Sequence, residues 1–410
     1  MRGLRKRVRR VDEADRGVKS RIVLSALLRR AAIVAAGCGV FELAIAGPAQ
    51  AAVSVPNGSL KGVSCASATA CSAVGNGYGT GLTLAERWNG ASWAVQATPN
   101  PTGATFATLS AVSCPSERAC TAVGSYTSST GQTMPLAERF NGTSWEIQAT
   151  PTPTGATSAT LSGVSCTAAR ACTAVGYAGS ASQATMLAER WNGTSWEIQA
   201  TPTPAGGTDA TLSAVSCTTA TGCTAVGNYF ISSIGQTVPF AERSNGAKWV
   251  VQTTPDLGHM SAGLFTAVSC VSARACIGSG GVDYGGGVTI PLTERWNGTS
   301  WAVIQSRPES GAVLYGVSCT SETTCTAVGI YDVFSVSGQV ATIAERWDGT
   351  SWSIQPTADP TGSTYPTLYG VSCMSAKTCT AVGSYNDSTG QAVTLAERWD
   401  GTSWVIQPTP

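Results

Sequence analysis

Beyond residue 58, apolar positions come in short runs and polar positions come in clusters, with no stretch of helical periodicity. The pattern is plainest at Leu161–Pro202. There the chain reads LSGVSC, five residues, CTAVGYAG, a short variable stretch, then MLAERWNGTSWEIQATP. Four apolar runs recur, of the types LSAVSC, CTAVG, PLAER(F/W) and SWEIQ, each bounded by Gly, Pro, Asn or Ser. Short alternating runs with such punctuation predict β-strands, and an all-β chain. The whole phrase occurs seven times.

The cysteines mark the period. They fall at Cys65/Cys71, Cys114/Cys120, Cys166/Cys172, Cys217/Cys223, Cys270/Cys276, Cys319/Cys325 and Cys373/Cys379, and successive pairs lie 49 to 54 residues apart. Four strands in about 50 residues is the arithmetic of a propeller blade. The expected architecture is a seven-bladed β-propeller with four antiparallel strands per blade and one disulfide-stapled hairpin between the first two strands. The blades are expected at about 59–101, 108–153, 160–204, 211–255, 263–308, 313–358 and 367–410, with 52–58 a short linker or extra strand. A small residue (Gly62, Ala111, Gly163, Ala214, Ala267, Gly316, Gly370) precedes each first-strand Ser by two. Such residues suit the innermost strand, where seven backbones crowd an axis. Last meets first without a shared strand unless 52–58 supplies one.

Paired cysteines also suit zinc, but zinc sites want two close pairs or added histidines, and the sequence holds one histidine, His259. Disulfides within each repeat are the better reading, each contributing about 2 kcal/mol or less. They imply an oxidising compartment. The N-terminus agrees. A basic region runs to Arg30, an apolar stretch spans 31–46, and Ala49-Gln50-Ala51 offers a small-x-small cleavage signal. Residues 1–51 therefore read as a secretory signal peptide with a long basic start. Lipidation at Cys38, within Ala35-Ala36-Gly37-Cys38, is the weaker alternative. Residues 1–51 carry 11 of the 25 Lys and Arg and four of the 24 Asp and Glu. The remainder thus has 14 against 20, a net charge of −6, which makes nucleic acid a poor partner. Beyond the signal no segment reads as membrane-inserting, and the secreted or wall-associated product is expected to be a monomer.

Three recurring features read as architecture. Asn-Gly or Asp-Gly between the third and fourth strands (Asn192-Gly193, Asp348-Gly349) favours positive φ, a turn signal that explains the residues better than a glycosylation sequon does. The tryptophans flanking that turn fill the widening gap between blades. Glu-Arg recurs in all seven repeats, from Glu86-Arg87 to Glu397-Arg398. Because neighbours in a strand face opposite ways, each Glu is expected to meet an Arg of an adjacent blade in a partly buried pair.

The order V-G-x-Y, third strand, tight turn and Trp resembles the kelch-type repeat, with one Gly where kelch has two. Asp348–Trp352 and Asp400–Trp404, both D-G-T-S-W, are similar to the Asp-box turn of sialidase-type propellers, though shorter and without the leading Ser. Calcium, sugar and sialidase chemistry therefore do not carry over. The whole repeat resembles secreted propeller-like repeat proteins of actinobacteria. These resemblances imply the fold over 59–410 and little about activity.

Candidate binding residues lie in the variable loops between second and third strands, each opening with an aromatic: Tyr78, Tyr126, Tyr177, Tyr229, Tyr284, Tyr331 and Tyr385. Seven tyrosines on one face could stack on a sugar or partner chain; the alternative is that each caps its own blade. Repeats 5 to 7 add His259, Asp283, Asp332 and Asp387. No catalytic residue, metal ligand or cofactor is assigned, because no nucleophile, base and orienter come together. The leading expectation is a binding module for an extracellular glycan or protein. A glycan-acting lyase or hydrolase at the central funnel is the rival, and a structural surface protein without a discrete ligand is the third.

Overall fold

A computed structural model describes residues 57–180, 183–258, 260–285, 289–306, 311–332 and 340–410. The expected signal peptide and cleavage site, Cys38, residues 52–56 and His259 lie outside the described residues. Among these residues there is no helix, and 28 strands follow one another in groups of four. Repeat 3 is representative, with strands Ser158–Ala168, Ala171–Ser180, Gln183–Trp191 and Trp196–Gln199 paired antiparallel in sequence order. Five such groups are separate four-stranded sheets. The fourth and fifth share one eight-stranded sheet through a single parallel pairing, Thr237 with Ala262.

Burial follows the sequence pattern. Each second strand (CTAVG) is buried on both faces, as at Cys172–Gly176, because it lies inside its sheet with a neighbouring repeat on either face. Each fourth strand, at the edge of its sheet, is buried at its Trp and exposed at the next residue. The single Gly of V-G has a steric cause. A bulge between Leu161 and Gly163 on the first strand brings the Thr160 carbonyl to 1.9 Å from where a Cβ on Gly176 would sit. No side chain fits there.

The seven expected disulfides are present: Cys65–Cys71, Cys114–Cys120, Cys166–Cys172, Cys217–Cys223, Cys270–Cys276, Cys319–Cys325 and Cys373–Cys379. Each joins the two arms of a first hairpin, with Cα atoms 3.9 to 4.0 Å apart. They staple the first hairpins as expected, and the two cysteines of each bond sit in different surroundings. The second cysteine of each pair (Cys71, Cys120, Cys172, Cys223, Cys276, Cys325 and Cys379) is buried, at 2 to 4% exposure, and belongs to its repeat's core cluster. Its partner on the first strand is only part-buried against that cluster. The cause is the second strand, which carries its cysteine into the interface between sheets. There six of the seven sulfurs meet a hydroxyl of the preceding repeat around the cycle. Cys71 lies 3.8 Å from Thr380, Cys120 3.6 Å from Ser72, Cys172 3.6 Å from Thr121, Cys223 3.5 Å from Thr173, Cys276 3.7 Å from Thr224 and Cys379 3.7 Å from Thr326. Cys325 is the exception because repeat 5 has Ile277 where the others have Ser or Thr. These buried sulfurs act as packing groups between sheets.

Contacts between repeats repeat as faithfully as the strands. The Ser of each V-S-C accepts a hydrogen bond from the backbone N–H of the next repeat's first cysteine, as Cys166 N to Ser113 Oγ at 2.9 Å. Seven of these run through Ser64, Ser113, Ser165, Ser216, Ser269 and Ser318, and from Ser372 back to Cys65, as a closed cycle. The small first-strand residues are needed as expected: a Cβ on Gly163 would sit 2.9 Å from Ala214 Cα. First and last repeats share no strand. They meet through Arg398 Nη2 on the Ala68 carbonyl (2.9 Å) and one antiparallel bridge, Asn57 with Val393, just before the first strand.

All twelve tryptophans are buried, and the pair flanking each turn packs at 5.7 to 5.8 Å between ring centroids where both are Trp. The turn glycines have positive φ (Gly193, 100°) and the Asn192 Oδ1 accepts the N–H groups of Thr194 and Ser195. Asp348 and Asp400 do the same, so Asn and Asp are interchangeable there.

The expected Glu–Arg pairs are not found at Glu86, Glu138, Glu189, Glu242, Glu294 or Glu397. Every one of the seven glutamates is fully buried, and an ion pair joins Arg295 to Glu322 at 3.8 Å. Arginines do cross to the next repeat, but they find other partners. Arg87 donates to the Glu117 carbonyl (2.5 Å) and lies 4.9 Å over the Phe140 ring; Arg243 and Arg398 repeat this with Ala273 and Trp296, and with Ala68 and Trp88. A half-buried guanidinium at the rim uses a carbonyl and a ring face. The Glu of the same strand points the other way, into the sheet interface.

Candidate functional site

In a four-stranded meander the loops after the second and fourth strands share one end. That end carries the variable loops, while the stapled hairpins and Asn-Gly turns occupy the other. On the loop face the seven tyrosines divide. Tyr126, Tyr229, Tyr331 and Tyr385 are half-buried against their own repeat's core. Tyr229, for example, packs edge-on to Phe240 with centroids 5.6 Å apart. Tyr78, Tyr177 and Tyr284 stand exposed, at 52%, 36% and 45%. Two further exposed aromatics, at first-strand starts, escape the sequence pattern. Phe106 lies against Gly81, in the turn that also carries Tyr78, and Tyr365 is 64% exposed with φ of 53°. A left-handed tyrosine is uncommon and marks a backbone held by its surroundings.

The three aspartates do not converge. Asp283 Oδ1 accepts the Gly285 N–H at 2.7 Å. Asp387 Oδ1 accepts the N–H groups of Thr389 and Gln391 and the Thr389 hydroxyl, which holds its carboxyl below the usual range, the hydroxyl contributing most. Asp332 donates its backbone N–H to the Gly311 carbonyl at 3.1 Å. Asp283 and Asp387 shape their own loops, while Asp332 Oδ1 is buried without a hydrogen-bond partner.

A second candidate site lies on the axis. A channel of about 170 Å³ is walled by the first strands of all seven repeats. One residue of each motif L/F-x-G/A-V-S-C faces it: Lys61, Ser110, Ser162, Ser213, Thr266, Tyr315 and Tyr369. Repeats 6, 7 and 1, adjacent across the closure, supply two tyrosines and a lysine; repeats 2 to 4 supply serines, while the Thr266 hydroxyl of repeat 5 donates to the Leu314 and Ser279 carbonyls. Lys61 Nζ lies 3.7 Å from the Tyr369 ring centroid, and the rings of Tyr369 and Tyr315 are 5.6 Å apart, tilted by 43°. Burial lowers the lysine's pKa, and burial, then the neighbouring Tyr369, raises that of Tyr315. Sequence reading noted the small residues beside these positions and passed over the positions themselves. The signal was there: x varies in a motif that is otherwise nearly fixed.

The buried glutamates form a third set of ionisable groups. Burial pushes Glu138, Glu189, Glu242, Glu294 and Glu397 up to about 8. Glu86 rises less, to about 7, and the hydroxyl of Thr394 in the preceding repeat around the cycle opposes the rise. Sevenfold recurrence inside sheet interfaces makes them architecture.

No family model matches the sequence, and no curated protein matches it. Solved structures do. The crystal structure of the GH74 xyloglucanase from Xanthomonas campestris superposes with a TM-score of 0.55 at 14% identity, covering 87% of this chain and 55% of that one. A structure of YCF48 bound to D1 peptide covers 72% of this chain and 79% of that chain, at 11% identity and a TM-score of 0.43, too weak a likeness to argue from. The first likeness shows the fold, a β-propeller, and only the fold. This chain spans about half the length of that xyloglucanase chain.

Proposed function

We propose that the chain is a seven-bladed, kelch-like β-propeller, exported through its first 51 residues, that binds an extracellular glycan or protein on its loop face. The observation that carries this is the set of exposed rings Tyr78, Phe106, Tyr177, Tyr284 and Tyr365 at one end of the strands. Large rings left in water on one face have no role in holding the blades. Tyrosine offers an apolar face and a polar tip, the combination that sugars and polar protein surfaces both accept. Seven disulfides, each within its own repeat, suit an oxidising compartment. The seven-link cycle of Ser–Cys hydrogen bonds supports the blade number.

The test is binding of the protein to a glycan array and to cell-wall preparations, beside a variant with Tyr78, Tyr177 and Tyr284 changed to Ser. Binding at least tenfold weaker in the variant, with thermal stability kept, is expected. Equal binding by both proteins would sink the loop-face reading. Tyr126→Ser and Tyr229→Ser serve as controls, which should lower stability instead, because those rings pack in their blades.

A further inference from the structure

We propose that the axial channel is a second ligand site, which takes a sugar acid through its carboxylate, with Lys61 as the charged anchor and Tyr369 and Tyr315 as the platform for the sugar ring. The site is distinct from the loop-face rings and does not depend on them.

The argument starts from a charge. Lys61 stands in a narrow channel, and no carboxylate belongs to the channel wall. Its ammonium rests on the face of Tyr369, at 3.7 Å. A ring quadrupole attracts an ammonium but does not neutralise it, so withdrawing the lysine from water is left partly uncompensated. Architecture does not need it. The equivalent positions in repeats 2 to 4 are serines, each at the same bulge of the first strand as the lysine. A costly residue that the fold can replace is best explained by what it meets there, and an anion supplies the missing charge.

The rest of the wall narrows the anion's class. Beyond the lysine the wall continues with the serines Ser110, Ser162 and Ser213. A cation, two ring faces and a row of hydroxyls match a carboxylate, an apolar sugar face and sugar hydroxyls. A simple inorganic anion would leave the two tyrosines without a role. The volume, about 170 Å³, holds on the order of ten waters at roughly 10–15 Å³ each. A ligand of monosaccharide size would therefore displace water and leave the backbone in place.

The experiment is calorimetric titration of the protein with glucuronate and galacturonate, beside glucose, acetate, and a short peptide with a free C-terminus. A uronate is expected to bind at least tenfold more tightly than glucose or acetate, and to weaken as salt is raised. Lys61→Ser, which copies the residue of three other repeats and so preserves the fold, should lower uronate affinity at least tenfold. Tyr369→Ser should lower it without abolishing the salt dependence. Uronate binding no tighter than glucose, or unchanged in Lys61→Ser, overturns the proposal. Tight binding of the peptide with none of the uronates also overturns it, in favour of a chain-terminal carboxylate. The triple loop-face variant, with Tyr78, Tyr177 and Tyr284 changed to Ser, should titrate like wild type here; loss of uronate binding in it would remove the claim of a separate site.

Discussion

The axis and the interfaces between sheets are built from the same seven copies, yet they treat repetition in opposite ways. Between sheets, each repeat offers the same Glu, Arg, Ser, Gly and nearly the same Trp pair, and the Ser–Cys hydrogen bond recurs at every step of the cycle. On the axis, the channel-facing position runs Lys, Ser, Ser, Ser, Thr, Tyr, Tyr. A contact that closes a cycle must be made the same way at every step, because one misfit repeat breaks it. A wall seen by a ligand is under no such demand, since a ligand has no sevenfold symmetry. In a repeat protein, sameness therefore points to assembly and departure points to recognition.

The sharpest way to break this comparison is at an interface glycine. Gly176→Ala places a Cβ 1.9 Å from the Thr160 carbonyl. It should cost about 3 kcal/mol or more, read by chemical denaturation. A cost below about 1 kcal/mol would mean that the repeated V-G is not a packing requirement. The next effect is one of pH. An unfolded glutamate ionises near its ordinary 4.5, while Glu189 in the folded chain is held at about 8 by burial. Between those values the native state keeps a proton that the unfolded chain has released, so raising the pH favours unfolding. The contribution is full below about 4.5 and is lost as pH climbs through about 8, with a slope up to about 1.4 kcal/mol per pH unit for each such group. Glu189→Gln should flatten the stability-against-pH curve by one proton's worth; an unchanged slope would show that Glu189 is ionised in the fold. The smallest effect belongs to the axis. Ser162→Thr copies Thr266 and should shift stability by less than about 0.5 kcal/mol. A larger loss would make the axial position architectural after all.

Much of the fold was legible because its causes are local. Six-residue cysteine spacing, Asn-Gly turns and alternating runs each act within a few residues, and the structure places them as the pattern predicts. Spacing alone did not tell the two cysteines of a pair apart. That Cys71 or Cys223 is buried while its partner is half-exposed follows from the neighbouring sheet, which a single repeat does not contain. The glutamates were misread because alternation along a strand says which way a side chain faces, and not which group of another repeat awaits it. Their arginines met carbonyls and rings that sequence does not flag. The tyrosines shared one motif position but divided by exposure, since packing in each blade decides whether a ring lies down or stands. Tyr365 was missed because it lies at the start of its strand, outside the repeating phrase. Lys61 and Tyr369 lie near opposite ends of the sequence, and only closure of the cycle brings them within 3.7 Å.

The locality of the disulfides has a consequence for how such a chain is made and altered. Fourteen cysteines can in principle pair in on the order of 10⁵ ways. Here each thiol's partner is six residues away, on the other arm of its own hairpin. Short loops close sooner than long ones, so the correct partner is also the first one met, and oxidation can follow the order of synthesis without reshuffling. The same locality acts on the gene. Duplicating or deleting one whole repeat adds or removes both halves of a bond and leaves no orphan thiol, so the array can change length while its redox chemistry stays closed.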